Sequence, residues 1–317
     1  MLTSFASFLS QLAQTLLVVL VAPLMLGWVS QCRAWLQNRS GPGLLQPYRV
    51  LFKLFDKDAL MAHNASAIFR GAPYIQFGCM VLAASVVPII ETNLLFAPAA
   101  DVIALVGVFA LARVFSALAA MDAGTSFGSF GARREMLVAS LSEPALLMVF
   151  FTPLLIVQSS SLNVIVDTLA HREFALYPSL AFAAVAFIMV LLAENARIPI
   201  DNPATHLELT MIHEALILEY SGRHLALIEW ANAIKFTTYC TIGIALFMPW
   251  GIAQAGAWQM LPAAVAVLIV KLCAIGAGLA LMETVSAKMR IFRAPEFLGM
   301  AYMLAALGML TLLLLGA

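Results

Sequence analysis

The sequence predicts an all-α protein that crosses a membrane about eight times. Of its 317 residues, 63% are hydrophobic and 11% are charged, a balance outside the range of ordinary soluble domains. Eight apolar windows are each long enough to cross about 30 Å of hydrocarbon. One long acidic stretch, residues 193–232, interrupts them. We therefore expect a single integral membrane domain over residues 1–317.

The predicted spans follow the apolar windows in order along the chain. Their approximate limits are 9–30, 72–90, 99–121, 136–158, 176–194, 233–253, 260–283 and 298–317. The first window could be mistaken for a signal peptide, but it lacks a basic start and a small-residue cleavage site. We interpret it as a span.

The basic residues between the spans predict the orientation of the chain. The odd-numbered loops carry 14 of the 17 arginine and lysine residues, whereas the even-numbered loops carry only Arg172. We therefore expect a multi-pass protein of the cytoplasmic (inner) membrane, with odd loops on the cytoplasmic side and both termini on the outer side.

The first loop contains an amphipathic segment, PYRVLFKLFDKD. Its apolar residues recur at helical spacing, and they are Tyr48, Leu51, Phe52 and Phe55. Its polar side carries Arg49, Lys53, Asp56 and Lys57. Such a helix lies in the headgroup plane, either as a surface anchor or as a floor for a docking partner or an amphiphilic ligand.

Two cations fall inside the predicted spans. Arg113 lies in the third span and Lys271 in the seventh, where a charge costs about 2.5–3.5 kcal/mol on insertion scales. Arg113 either extends to the cytoplasmic interface or has a partner. Lys271 lies deeper in its predicted span than Arg113 does, which favours a functional or paired role for Lys271. It cannot pair with Glu283, which is twelve residues further on, or about 18 Å along a helix.

The fourth span contains Glu143, directly followed by Pro144. Two interpretations remain open: a structural acid paired to Arg113 or Lys271, or a carboxyl that takes up and releases a proton. Glu135 lies beside Arg133 and Arg134, and we expect it to be an ordinary interfacial ion-pair partner.

The acidic stretch is predicted to form a turn and then a new helix. Pro199 and Pro203 end the preceding helix, and Thr205 with Glu208 has the spacing of a capping box. The new helix should run for about 24 Å, and Gly222 should stop it. Local roles are open for two acids: Glu208 as a cap, and Glu194 as an exposed partner of Arg197.

The number of ionisable residues in this stretch favours a hydrated path. They are Glu194, Asp201, His206, Glu208, His213, Glu214, Glu219, His224 and Glu229. A metal site is not favoured, because spacing supplies no third ligand for His206 and His213. The four cysteines form no CxxC pair, and no GxGxxG, P-loop or HExxH motif occurs. We expect no cofactor bound by this chain, and the equal numbers of acidic and basic residues predict no nucleic-acid partner.

Four motifs resemble a known family. They are NRSGPGLLQPYRVLFKLFDKD; GARREMLVASLSEP; AENARIPID with HLEL and LEYSG; and SAKMRIFRAPEFLG. Together they resemble subunit 1, the H-type membrane subunit, of complex I (NADH:quinone oxidoreductase). The chain resembles more closely the related subunits of membrane-bound nickel–iron hydrogenases, hydrogenase-4 and formate hydrogenlyase.

The resemblance implies a subunit that joins a peripheral redox arm to antiporter-like membrane subunits through an acid-lined channel. The family's acids match Glu143, Glu194, Asp201, Glu208, Glu219 and Glu229 by motif. Two departures are Ala204 and His206, where quinone-reducing relatives carry further acids, and a segment about two residues longer before Glu219. In this segment the chain resembles the hydrogenase-type branch of the family.

The implied partners are hydrogenase-like large and small subunits, an iron–sulfur subunit, antiporter-like subunits and membrane lipid. Iron–sulfur clusters and a nickel–iron centre would lie in other subunits, and quinone is a possible ligand. The candidate coupling residues also include Arg113, His206, His213, Glu214 and Lys271. The candidate docking or quinone-gate residues are Arg39, Tyr48, Arg49, Phe52, Lys53, Phe55, Arg133, Arg134, Arg290 and Arg293.

Three functions follow as hypotheses. The first is a non-catalytic anchoring and coupling subunit of a hydrogenase-like complex, and the second is a quinone-site subunit of a complex I-type dehydrogenase. The third, an autonomous ion carrier, is less favoured because no inverted repeat is evident.

Overall fold

A computed structural model describes residues 2–62, 65–91, 101–171, 178–201, 212–253, 258–287, 289 and 291–315. Within these ranges the chain is helical, and its only β-type pairings are two isolated bridges. The helices are α1 (Leu2–Leu36), α2 (Gln46–Phe55), α3 (Ala67–Val86), α4 (Val102–Asp122), α5 (Ser126–Val157), α6 (Leu162–His171), α7 (Pro178–Glu194), α8 (His213–Ile217), α9 (Gly222–Phe247), α10 (Leu261–Val285) and α11 (Ala294–Leu315). The predicted all-α class is confirmed.

Six of the described helices are long and apolar enough to cross a membrane: α1, α3, α4, α5, α10 and α11. Helix α7 is apolar but has 17 residues, and α9 has 26 residues but is more polar. Each of the eight predicted windows overlaps one of these eight helices. Because α7 is short and α9 is more polar, the count of eight spans stays a prediction.

The helix ends differ from the apolar windows where polar residues continue a helix beyond the hydrocarbon. Helix α5 begins at Ser126, ten residues before the predicted span, because the Thr125 hydroxyl caps it by accepting the N–H of Gly128 at 3.3 Å. Helix α9 begins eleven residues before its window, at Gly222. Both extensions carry charged residues toward the same end of the bundle.

The bundle packs as one continuous core. Helix α11 lies against α7 and α5, α3 lies against α4 and α9, and α1 lies against α10 and α9. Alanines at the crossings, such as Ala22, Ala83 and Ala245, are almost fully buried and let the helix backbones approach closely. Tyr239 and Phe236 of α9 fill the centre. Helix α10 contacts α9 only slightly, which leaves a cleft between them.

The amphipathic helix predicted in the first loop is present as α2, which lies against α9. Leu51 is buried, and the Phe55 ring lies edge-on to Trp230 with 6.3 Å between ring centroids. The Tyr48 hydroxyl donates to the Leu20 carbonyl of α1. Phe52 points away from the bundle and is 69% exposed.

The acidic stretch 193–232 joins α7 to α9 through the short helix α8. The predicted capping pair Thr205 and Glu208 lies outside the described residues. The Asp201 carboxylate accepts the backbone N–H groups of Ile212 and His213 at 3.3 and 3.2 Å, so it caps the start of α8.

The prediction that Gly222 stops a helix is wrong. Gly222 is the first residue of α9, with a φ of +52°. A Cβ here would lie 2.6 Å from the carbonyl oxygen of Asp58 and 2.7 Å from that of Lys57. Glycine therefore permits the chain that follows α2 to pass against the start of α9.

Candidate functional site: a buried charge network

Arg113 is the centre of a buried charge network. It is 6% exposed, and its guanidinium lies 2.5 Å from the Glu143 carboxylate and 3.4 Å from that of Glu135. It also pairs with Glu194. The interpretation that Arg113 extends to the membrane interface is therefore wrong, since its charge is neutralised inside the protein.

Glu194, the last residue of α7, connects Arg113 to α9. Its carboxylate lies 3.0 Å from the Lys235 ammonium and accepts a hydrogen bond from the Ser142 hydroxyl. Lys235 also donates to the backbone carbonyl of Glu194 at 2.7 Å. Because Glu194 is 3% exposed and paired in this way, the interpretation of an exposed pair with Arg197 is wrong.

Glu135 extends the network toward α8. It is buried, and its carboxylate lies 3.5 Å from the His213 imidazole, so the expectation of an ordinary interfacial acid is wrong. The reason is the early start of α5, which places Glu135 inside the helix and opposite α4. A sequence signal existed: Glu135 and Ser142 are seven residues apart, and two turns of a helix align them on one face.

A second charged group was not predicted from the sequence. Glu283 of α10 is 4% exposed, and its carboxylate lies 3.0 Å from Arg197 and 3.6 Å from Arg33. The Arg197 guanidinium also lies 4.4 Å from the centroid of the Phe236 ring. These partners come from α1, from the turn after α7 and from α10, so no local spacing relates them.

A polar cavity of about 290 Å³ lies between the two groups. It is large enough to hold several water molecules, and its walls offer many polar partners. Its charged lining residues are Arg33, Glu194, Arg197, His213, Glu214, Glu229, Lys235 and Glu283. The structure thus brings together four of the predicted coupling residues, namely Glu194, His213, Glu214 and Glu229.

His213 is the titratable base of the network. Its ring nitrogens lie 3.5 Å from Glu135 and 3.7 Å from Asp201. Burial acts to lower the pKa of His213, but the nearby Glu135 and Asp201 carboxylates outweigh burial, and the pKa is raised above its ordinary value. The imidazole is therefore held toward its protonated form.

The remaining predicted coupling residues lie elsewhere. Lys271 donates to two backbone carbonyls at the end of α9 and forms no ion pair with a described acid. Glu219 is half-buried in the turn after α8, outside the lining of the polar cavity. His206 and Glu208 lie outside the described residues.

The predicted docking residues are mostly exposed. Arg39, Arg49, Phe52, Lys53, Phe55, Arg133 and Arg293 are exposed, and Tyr48 and Arg134 are half-buried. Arg290 lies outside the described residues. A second cavity, of about 260 Å³, lies between α1, α2 and α9, with Gly27, Pro47, Leu51 and Glu229 in its walls.

The described residues show no arrangement suited to a metal ion. No group of three or more histidine, cysteine, aspartate or glutamate side chains within those ranges has the required geometry. Cys32, Cys79, Cys240 and Cys273 are all free thiols.

A bundle of apolar helices that encloses a connected set of buried acids and bases defines the chain as a polytopic membrane protein. The sequence matches the family described as NADH dehydrogenase over residues 10–314, and the chain belongs to that family. The resemblance to subunit 1 of complex I is thereby confirmed.

Similar proteins come from both branches of this family. Formate hydrogenlyase subunit 4 of Escherichia coli is 30% identical over 97% of this chain and 99% of its own length. Hydrogenase-4 component C of the same organism is 32% identical over 93% of each chain. The H-type subunit of NADH-quinone oxidoreductase from Rickettsia bellii is 27% identical over 65% of this chain and 63% of its own length.

The fold also matches a solved structure. A chain from the membrane-bound sulfane sulfur reductase, an archaeal respiratory membrane complex, superposes with a TM-score of 0.83. The match covers 96% of this chain and 99% of that chain at 19% identity, so it shows a shared fold.

Proposed function

We propose that this chain is the membrane anchor and ion-coupling subunit of a hydrogenase-like complex. It joins a peripheral redox arm to proton- or sodium-translocating, antiporter-like membrane subunits. The carrying observation is the continuous set of ionisable groups from the polar cavity, through Lys235, Glu194 and Arg113, to Glu143. The two relatives that are 30% and 32% identical, both named as hydrogenase components, support the hydrogenase branch.

The charge balance of the network supports proton handling. Four carboxylates, those of Glu135, Glu143, Glu194 and Asp201, share this network with two cations, Arg113 and Lys235. When these six groups are charged, two negative charges are in excess inside an apolar bundle. A proton on His213 removes one of them and leaves the other. The excess negative charge favours proton uptake by the network.

The proposed coupling step is a change in where this proton lies. Asp201 contacts both α8 and His213, so a shift of the acidic loop beneath the redox arm alters the partners of His213. Loss of the imidazolium increases the excess negative charge around Arg113, which contacts both Glu135 and Glu143. The Glu143 side chain is 33% exposed and is the outlet of the network toward a neighbouring membrane subunit.

The test of this proposal is Glu143→Gln, which keeps the shape and hydrogen-bonding capacity of the side chain but cannot titrate. We expect an assembled complex that retains redox chemistry with an artificial electron donor or acceptor and loses membrane-coupled ion movement. The measurement is proton or sodium movement per electron in sealed vesicles. The matched control is Glu296→Gln, an exposed acid in the first turn of α11. An unchanged ratio at an unchanged rate would remove Glu143 from the path.

A second candidate is a quinone-site subunit of a complex I-type dehydrogenase. The cavity between α1, α2 and α9 supports it, as does the relative named as a subunit of NADH-quinone oxidoreductase. However, about 260 Å³ is slightly below the range of about 300–1,000 Å³ that is usual for ligand pockets. Under the hydrogenase proposal, quinone analogues have little effect on turnover. Potent competitive inhibition by such analogues would favour the second candidate.

A further inference from the structure

Tyr239 of α9 is a fully buried side chain, with 0% of it exposed, that the coupling proposal does not use. Its ring is stacked on that of Phe109 of α4, with 4.9 Å between the ring centroids. It also lies 6.3 Å from the ring of Phe187 of α7, and both phenylalanines are buried. The three rings form an aromatic layer between α4, α7 and α9.

The aromatic layer lies one helical turn from the charge network. Phe109 precedes Arg113 by four residues on α4, and Tyr239 follows Lys235 by four residues on α9. Long side chains of a helix point back toward its N-terminus, which directs the Tyr239 ring toward Lys235. The Lys235 ammonium lies 6.0 Å from the centroid of that ring. The tyrosine side chain therefore extends toward the charged residues.

The Tyr239 hydroxyl is buried and completes no hydrogen bond with the described residues. Tyr239 lines neither the polar cavity nor a smaller cavity of about 50 Å³ beside Arg113, so neither cavity supplies the hydroxyl with water. A buried hydroxyl without a partner is costly, and phenylalanine would fill the same space without that cost. Among the charged groups, the Glu194 carboxylate acts on this hydroxyl most strongly, ahead of Arg113 and Glu143.

The Glu194 carboxylate has room for one more donor. A carboxylate offers about four acceptor positions on its two oxygens. Arg113 and Lys235 both contact Oε2 of Glu194, and the Ser142 hydroxyl donates to Oε1. Within the described chain, one position on Oε1 is therefore left for the Tyr239 hydroxyl.

We propose that Tyr239 is a positioning residue that keeps Glu194 ionised, because its hydroxyl donates to Oε1 of Glu194 after a small rotation. This inference rests on the proposed coupling function and narrows it. With four donors directed at it, Glu194 is most stable as an anion, since a proton on the carboxyl would displace one of them. Glu194 is then a fixed negative charge that holds Arg113, and the mobile proton lies on His213 or on the carboxyls of α5.

A comparison of stabilities tests the contact between Tyr239 and Glu194. Tyr239→Phe removes the hydroxyl and keeps the stacked ring, and it is made both in the wild-type complex and in Glu194→Gln. In the wild type, thermal unfolding in detergent should show a melting temperature lower by about 2–4 °C, because a hydrogen bond to a charged group is lost. In Glu194→Gln the decrease should be less than about half as large, because a neutral acceptor forms a weaker bond.

Tyr220→Phe is the matched control for this comparison. The Tyr220 ring is also stacked on a phenylalanine, that of Phe69, with 4.1 Å between the ring centroids. Its hydroxyl donates to a neutral acceptor, the Phe69 carbonyl, at 2.9 Å. Tyr220→Phe should therefore lower the melting temperature by the same amount in the wild type and in Glu194→Gln.

A second measurement follows ion movement per electron in sealed vesicles as a function of pH. Without the Tyr239 hydroxyl, Glu194 holds a proton more readily and competes for the mobile proton. The ratio in Tyr239→Phe should therefore fall about twofold below that of the wild type at about pH 6 and recover by about pH 8. Tyr220→Phe should follow the wild type at both pH values.

The two measurements separate this inference from the coupling proposal. The stability comparison does not depend on ion movement, so it tests the contact even where Glu143→Gln leaves coupling intact. A change of equal size in both backgrounds, in either direction, would overturn the contact between Tyr239 and Glu194. If Glu194→Gln does not assemble, a melting temperature of Tyr239→Phe at or above that of the wild type would overturn it. A pH profile of Tyr239→Phe equal to that of the wild type would overturn the assignment of Glu194 as a fixed charge.

Discussion

At the scale of single residues, the stability of the site depends on how Arg113 is neutralised. An arginine inside a membrane bundle is tolerated here because carboxylates from α5 and α7 surround it. Removing the cation leaves three acids without their common partner. The result is a buried, uncompensated negative charge, which is among the most destabilising changes that one substitution can make.

We expect Arg113→Met to lower the free energy of unfolding by about 3–5 kcal/mol. The added substitution Glu194→Gln removes one of the stranded charges and should recover part of that loss, since the two residues are in direct contact. Thermal unfolding in detergent measures both effects. Arg133→Met, an exposed arginine of α5, serves as the control and should change stability by less than about 0.5 kcal/mol. Equal effects at Arg113 and Arg133 would contradict the central role of Arg113.

The raised pKa of His213 predicts a specific dependence of stability on pH. A folded-state pKa above the unfolded value means that the folded protein binds the proton more tightly than the unfolded chain. This contribution is therefore complete below about pH 6.5, the unfolded value, and is lost as pH rises through the folded value. At about pH 6 the melting temperature of the wild type should be higher than that of His213→Gln, and this difference should be smaller at about pH 9. A gap that stays constant across this range would contradict the assignment.

Sequence reasoning found only part of this network. Glu143, Glu194 and Arg113 were predicted because a charged residue in or beside an apolar segment can be recognised from the sequence alone. Glu135 and Glu283 were not, because both lie near basic residues and look like solvated helix ends. Their burial depends on which helices pack together, and Glu283 meets Arg33 from the opposite end of the chain.

At the scale of helices, hydropathy predicted which segments are helical but not where each helix ends. The hydrocarbon thickness sets the apolar length of a span, so the windows were close to the helices. Capping and close approach set the ends, as Thr125 does for α5 and Gly222 for α9. The helix predicted to start near Thr205 begins outside the described residues, and within them it corresponds to α8, from His213 to Ile217.

Gly222→Ala should destabilise the chain by about 1–3 kcal/mol. The substitution forces an L-residue into the left-handed region and places its Cβ against two backbone carbonyls. Gly71→Ala in α3 is the control with the opposite expected sign, because nothing lies within 4 Å of its added Cβ and alanine favours a helix by about 0.5–1 kcal/mol. Chemical or thermal unfolding of the two variants distinguishes them. If Gly222→Ala leaves the stability unchanged, the backbone at the junction of α2 and α9 can relax to accommodate the added Cβ.

At the scale of the whole molecule, the charged ends of the extended helices form one surface. Helices α5 and α9 both continue beyond their apolar windows, and α2 packs against α9 on that side. We interpret this surface as the seat of the peripheral redox arm. Arg133 is exposed on it, whereas Arg134 is half-buried and already engaged within the chain.

Reversing the charge of Arg133 and Arg134 to glutamate should detach the peripheral arm and leave membrane insertion intact. Arg133→Glu alone should give most of the effect, because Arg133 is the more exposed of the two. The measurement is the set of soluble subunits that co-purify with the membrane fraction. The docking interpretation is wrong if the full set is retained at wild-type amounts after both reversals.

The pairing of α1 with α10 has a consequence for how the protein is made. The Trp28 indole donates to the carbonyl of Cys273 at 2.9 Å, across 245 residues of chain. At roughly 5–20 residues per second, a ribosome needs about 10–50 s to synthesise that interval. Helix α1 must therefore remain in the bilayer without this partner until α10 has been synthesised. Cross-linking between positions 28 and 273 in nascent chains of increasing length would show when this contact forms. The cross-link should appear only after α10 has left the ribosome.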